Sequence, residues 1–86
     1  MNVSVELTLS PLQDDFEPPI IAFIKRLRDS GYTVLENPLS TQIYGPYDEV
    51  MSLLNQAIKE AFIDLDHVVL YMKLVKSDRS DYEPHF

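Results

Sequence analysis

Side chains able to do chemistry are sparse in this 86-residue chain, and the best placed fall in two proline-marked segments, Leu9-Ser10-Pro11-Leu12 and Pro38-Leu39-Ser40-Thr41. Each brings hydroxyls to a point where an alternating run meets a turn, and a hydroxyl both donates and accepts. To act as nucleophiles they would need a base, yet the two histidines, His67 and His85, stand in no motif with a serine, threonine or metal ligand. The carboxylates of Asp14, Asp15 and Glu17 precede an apolar-periodic run, where negative charge serves the positive end of a helix. There is no cysteine, so thiolate metal sites, disulfides and cysteine nucleophiles are excluded. Two glycines, each with a structural place, make no phosphate cradle, and Pro11 to Asp15 lacks the basic residue an acylphosphatase-like anion site would need. What remains is hydrogen bonding rather than bond making. The expectation is a protein that is not an enzyme and carries neither metal nor cofactor.

A small polar pocket is the chemistry these residues can build. Ser40 and Thr41 supply hydroxyls, main-chain groups near Leu9 and Ser10 stay free if strand pairing ends at Pro11, and Phe16 offers an aromatic wall. Such a set suits a flat heterocycle. An aminopyrimidine, with a ring-nitrogen acceptor beside an amino donor, can be matched by a hydroxyl and main-chain groups without any charge. The plain alternative is that these hydroxyls only satisfy local turns.

The elements that must bring the two segments together are legible. Val3, Val5, Leu7 and Leu9 alternate with Ser4, Glu6, Thr8 and Ser10, a period of two that marks a strand with one buried face. Asp14 or Asp15 can cap the helix that follows, and Pro18 and Pro19 suit its first turn. Phe16, Ile20, Phe23, Ile24 and Leu27 form its apolar stripe, with Gly31 beyond its end. Tyr32–Leu35 and Thr41–Tyr44 read as strands joined by the hairpin loop 36–40. Val50, Leu53, Leu54, Ala57, Ile58, Ala61 and Phe62 mark a second helix, and His67–Lys76 a last strand.

This order predicts an α+β fold, a ferredoxin-like βαββαβ sandwich: a four-stranded antiparallel sheet in the order 4-1-3-2 with two helices on one face. The domain should span 1–76, with 77–86 a loose polar tail or an arm onto a partner. In this topology the first strand neighbours the third, and pairing Leu9 with Thr41 also pairs Leu7 with Ile43 and sets Glu6 opposite Tyr44. The uncovered face would then expose Tyr44, Val69, Tyr71 and Val75, which predicts a homodimer or a dimer of dimers.

Charge narrows the partners. A formal charge of −7 disfavours nucleic acid, whose affinity rests on Lys and Arg, and tolerates a cationic small molecule. Ile20–Ile24 is far too short to span a bilayer, and no basic n-region opens the chain, so a cytoplasmic location is expected.

The runs Leu7-Thr8-Leu9-Ser10-Pro11-Leu12, Asp14-Asp15-Phe16, Ser40-Thr41, Gly45 and Tyr47-Asp48-Glu49-Val50, in this order and spacing, resemble the YkoF-like family of thiamine and hydroxymethylpyrimidine binding proteins. The resemblance extends from Val3 to about Lys76. It implies a ferredoxin-like unit that assembles into dimers or larger and binds thiamine or its pyrimidine moiety without catalysis, as carrier, buffer or sensor in uptake or salvage, with a thiamine transporter component as a further partner. By position it implies ligand contacts at the Leu9 main chain and the Thr41 hydroxyl, with Ser40, Ser10 and Phe16 as neighbours. Some members carry two such units in one chain. This chain has one, so any site shared between units must draw on a second copy. The alternative from a different class is a structural or regulatory homo-oligomerisation module with no small-molecule ligand.

Overall fold

The computed structural model describes residues 1–86. Its elements are β1 (Asn2–Pro11), α1 (Glu17–Arg28), β2 (Thr33–Glu36), β3 (Thr41–Pro46), α2 (Tyr47–Ile63) and β4 (Val68–Val75). The strands form one antiparallel sheet in the order β2-β3-β1-β4, the expected ferredoxin-like arrangement. The period-two pattern of β1 sends Val3, Val5, Leu7 and Leu9 to the core, where they meet Phe23 and Leu27 of α1, Ile43 of β3, and Val50, Leu54 and Ala57 of α2. This burial is the main apolar driving force for the fold.

Two local expectations change. The α1 N-cap is Phe16, and no side chain caps it, so neither Asp14 nor Asp15 holds a free helix amide. Prolines in the first turn reduce the need, since they have no N–H to satisfy. The β1–β3 register also differs by two residues: Leu7, not Leu9, faces Thr41, while Val5 faces Ile43 and Ser4 faces Tyr44. A shift of two keeps every side chain on its expected face, so alternation alone cannot distinguish the two registers.

β3 begins directly after the turn that joins it to β2. Asn37 N–H donates to the Ser40 carbonyl at 3.1 Å, closing a tight Asn37–Ser40 hairpin with Pro38 and Leu39 at its tip. No non-glycine residue has a positive φ, so this is not a primed turn, and unprimed turns splay the strands they join. The β1–β3 ladder ends at Leu7 with Thr41, the residue immediately after this turn.

On the sheet's open face, Val69 and Tyr71 of β4 are exposed. Met72 and Leu74, paired with the core residues Leu7 and Val5, are exposed as well, because the helices pack chiefly over β1, β2 and β3, whereas Val68 and Leu70 at the start of β4 pack against the core. Tyr44 and Val75, expected to be exposed, are half-buried. Ser4 also lies on the open face yet is buried. Its hydroxyl donates to the Ser77 carbonyl at 2.6 Å and accepts from the Arg79 N–H at 2.9 Å, so the start of the C-terminal segment crosses over it. No helix is long and apolar enough to cross a membrane.

Candidate functional site

β1 is central in the sheet, so its backbone groups alternate between two neighbouring strands. Tyr47 N–H donates to the Met1 carbonyl at 2.9 Å, and Leu12 N–H to the His67 carbonyl at 3.0 Å. Hydrogen-bonded pairs recur at every second residue of an antiparallel ladder. Carried along the two registers, Val3, Val5 and Leu7 turn their main-chain groups toward β3, and Ser4, Glu6, Thr8 and Ser10 turn theirs toward β4. By the same phase Leu9 aims its N–H and C=O toward β3. But β3 has ended, since its last pair with β1 is Leu7 with Thr41.

The residue that would face Leu9 in a continued ladder is Leu39, and its groups are engaged elsewhere. Leu39 N–H donates to Asn37 Oδ1 at 2.8 Å, and its carbonyl accepts from Thr8 Oγ1 at 3.2 Å. No backbone hydrogen bond joins Leu9 to the hairpin. One donor and one acceptor, on the same residue and the same side of the strand, are therefore left unpaired where most buried backbone groups are satisfied. Beside them lies a cavity of about 130 Å³, lined by Leu7, Thr8 and Leu9 of β1, by Ile20, Phe23 and Ile24 of α1, and by residues 37–41 of the hairpin and β3.

Thr41 adds a third polar group. It is only 6% exposed, and its hydroxyl enters none of the side-chain hydrogen bonds. The one fully buried side-chain nitrogen or oxygen without a partner is Arg26 Nε, so the Thr41 hydroxyl keeps a small accessible patch, and Thr41 lines the cavity. The cavity is lined by no ionisable side chain. It offers a donor, an acceptor and a hydroxyl among apolar walls, which suits a neutral, flat, hydrogen-bonding ring.

Of the residues singled out in the sequence, Leu9, Ser40 and Thr41 come together here. Ser40 borders the cavity, but its hydroxyl donates to Glu6 Oε2 at 3.0 Å and accepts from Gln42 Nε2 at 2.6 Å, both on the open-face side of the sheet. Ser10 and Phe16 lie outside the lining: Ser10 pairs with Val69 of β4, and Phe16 is 53% exposed ahead of α1. The aromatic wall is Phe23, buried at 5% exposure. Its place in the α1 stripe with Ile20 and Ile24 was the available signal, since that stripe must face the sheet. Asn37, within the hairpin loop 36–40, also lines the cavity, and its residue type alone marks only a turn.

A larger depression of about 470 Å³ separates α1 from α2 and shares Phe23 with the small cavity. Some of its polar groups are paired, whereas the Asp15 and Asp64 carboxylates enter no hydrogen bond and the buried Arg26 Nε has no partner. Arg26 pairs with Glu60, which also accepts from Gln56, and Gln13 Nε2 donates to the Asp15 carbonyl. On the open face, burial raises the Tyr44 phenol above its ordinary value, with Asp78 and Glu6 adding in the same direction. No group of three or more histidines or carboxylates is placed to hold a metal ion.

The sequence profile of the thiamine-binding protein family matches residues 5–86. Among solved structures, a Thermotoga maritima protein assigned provisionally to thiamine biosynthesis or salvage superposes with a TM-score of 0.81 at 18% identity, covering 90% of this chain and 85% of its own. A hypothetical protein of Methanocaldococcus jannascii gives a TM-score of 0.75 at 24% identity over 95% of this chain and 84% of its own. A Streptococcus pneumoniae protein gives 0.72 at 25% over 94% and 92%. No curated protein matches the chain.

Proposed function

Because this chain belongs to the thiamine-binding protein family, we propose that it binds thiamine or its hydroxymethylpyrimidine moiety without making or breaking a bond, as a carrier, buffer or sensor in thiamine uptake or salvage. The observation that carries the reading is the unpaired N–H and C=O of Leu9 beside the unengaged Thr41 hydroxyl. An aminopyrimidine edge presents an acceptor next to a donor, so it can pair with Leu9 much as the missing strand residue would. Thr41 then meets a second polar atom of the ring, while Ile20, Phe23 and Ile24 enclose its faces. Ser40 borders the ring. Ser10 and Phe16, outside the lining, are neighbours of the site along the chain rather than contacts.

Ligand pockets commonly run to about 300 to 1,000 Å³. At about 130 Å³ this one takes a single ring and leaves the rest of a larger ligand at its mouth. There the net charge of −7 favours the thiazolium cation. The bare β4 strand, with Val69, Tyr71, Met72 and Leu74 exposed, supports assembly as a homodimer or dimer of dimers. A cytoplasmic protein of this kind would work beside a thiamine transporter component. The same bare strand favours the second reading, a homo-oligomerisation module without a ligand.

Thermal melting and calorimetry with thiamine and with hydroxymethylpyrimidine separate the two. A ligand that binds only the native state raises the melting temperature by mass action. No shift and no heat with either compound would leave the assembly reading in its place.

A further inference from the structure

We propose that Asn37 and Thr8 are positioning residues that keep the binding edge of β1 open by occupying the backbone of Leu39. The inference rests on the ligand reading above and adds how that site is held ready. In the observed register Leu39 is the residue two steps past Thr41 that would face Leu9. Its N–H and C=O are the two groups that would satisfy those of Leu9. Asn37 Oδ1 instead takes the N–H, and Thr8 Oγ1 takes one of the two lone pairs of the C=O.

The two side chains reach Leu39 from different elements. Asn37 acts within the hairpin, where its Oδ1 also accepts from Ser40 N–H at 3.0 Å. Thr8 acts across the gap from β1, and its reach shows that the tip of the hairpin lies close to the strand it fails to pair with. Side chains of Asn and Thr are well suited to compete with a ladder for backbone groups. Removal of both leaves Leu39 with a free donor and acceptor next to a strand edge with the complementary pair. One further rung, Leu9 with Leu39, then closes the edge that the ligand uses.

The test is amide hydrogen exchange, read residue by residue by NMR on the ligand-free Asn37→Ala/Thr8→Val protein, together with calorimetry using hydroxymethylpyrimidine and thiamine. The expected result is that the Leu9 amide exchanges at least about tenfold more slowly than in the parent, as an amide newly placed in a ladder does. Affinity for both compounds falls, and in Asn37→Asp and Thr8→Ser, which keep an accepting or donating oxygen, the Leu9 amide exchanges as in the parent. Thr41→Val serves as the contrast, because it weakens binding without slowing Leu9. Should the double variant fail to fold, Thr8→Val alone carries the test through the same amide. Leu9 exchange that is unchanged or faster overturns the proposal and assigns the open edge to the turn geometry alone. The exchange is measured without ligand, so it decides this point even if the parent binds neither compound, a result that would remove the ligand reading instead.

Discussion

Replacing Thr41 with valine removes one oxygen and leaves the β-branched shape that suits the strand. In the free protein that oxygen has no partner, and the residue is almost wholly buried against Leu7 and the α1 face of the cavity. Stability should therefore hold or rise slightly, since no hydrogen bond is lost from the native state. With ligand bound, the ring atom that met the hydroxyl is left buried and unpaired. Such a group costs on the order of 1 to 3 kcal/mol, which weakens binding by roughly fivefold to more than a hundredfold. Calorimetry with thiamine and hydroxymethylpyrimidine reads the affinity, and a melting curve taken alongside confirms the fold. Ser80→Ala, whose hydroxyl bonds only Asp78 in the C-terminal segment, is the control expected to bind like the parent. If Thr41→Val melts as expected and binds both compounds as tightly as the parent, the assignment to the small cavity is wrong, and the depression between α1 and α2 becomes the site to probe.

Thiamine and hydroxymethylpyrimidine should bind more tightly than thiamine diphosphate, because the small cavity has no arginine or lysine in its lining and the chain is net acidic; calorimetry that finds the diphosphate clearly tightest refutes this. Light scattering should show a dimer or tetramer for the parent and a smaller species for Val69→Lys/Tyr71→Lys, and a monomeric parent at roughly tens of micromolar ends the assembly argument. Ser4→Ala deletes two hydrogen bonds to the C-terminal segment, each contributing about 0.5 to 1.5 kcal/mol, so limited proteolysis should cut after Val75 faster than in the parent. The Tyr44 phenol, raised first by burial and then by Asp78 and Glu6, should ionise above 10.0 in an ultraviolet titration. Its folded-state value exceeds the unfolded one, so its contribution to stability is present below pH 10 and is lost as pH rises through the folded value.

The element order and the faces of the strands were already written into the chain. Alternation from Val3 to Ser10 defines which side of β1 is buried, and the stripe through Ile20, Phe23, Ile24 and Leu27 defines the side of α1 that covers it, because each pattern matches a backbone period. Right-handed crossovers then leave little freedom in strand order. The same patterns could not choose between Leu9 and Leu7 as the partner of Thr41, since registers two residues apart bury the same set. The assembled sheet made that choice: Thr41 pairs with Leu7, and the ladder stops there, short of Leu9. The aspartates before α1 had the right chemistry to cap it, yet the geometry of the approach put Phe16 at the N-cap. Tertiary structure alone decided that the free backbone pair of Leu9 opens onto a cavity walled by Phe23. Which amides of a central strand stay unpaired depends on where both neighbouring strands stop, and that is settled only when the whole sheet has formed.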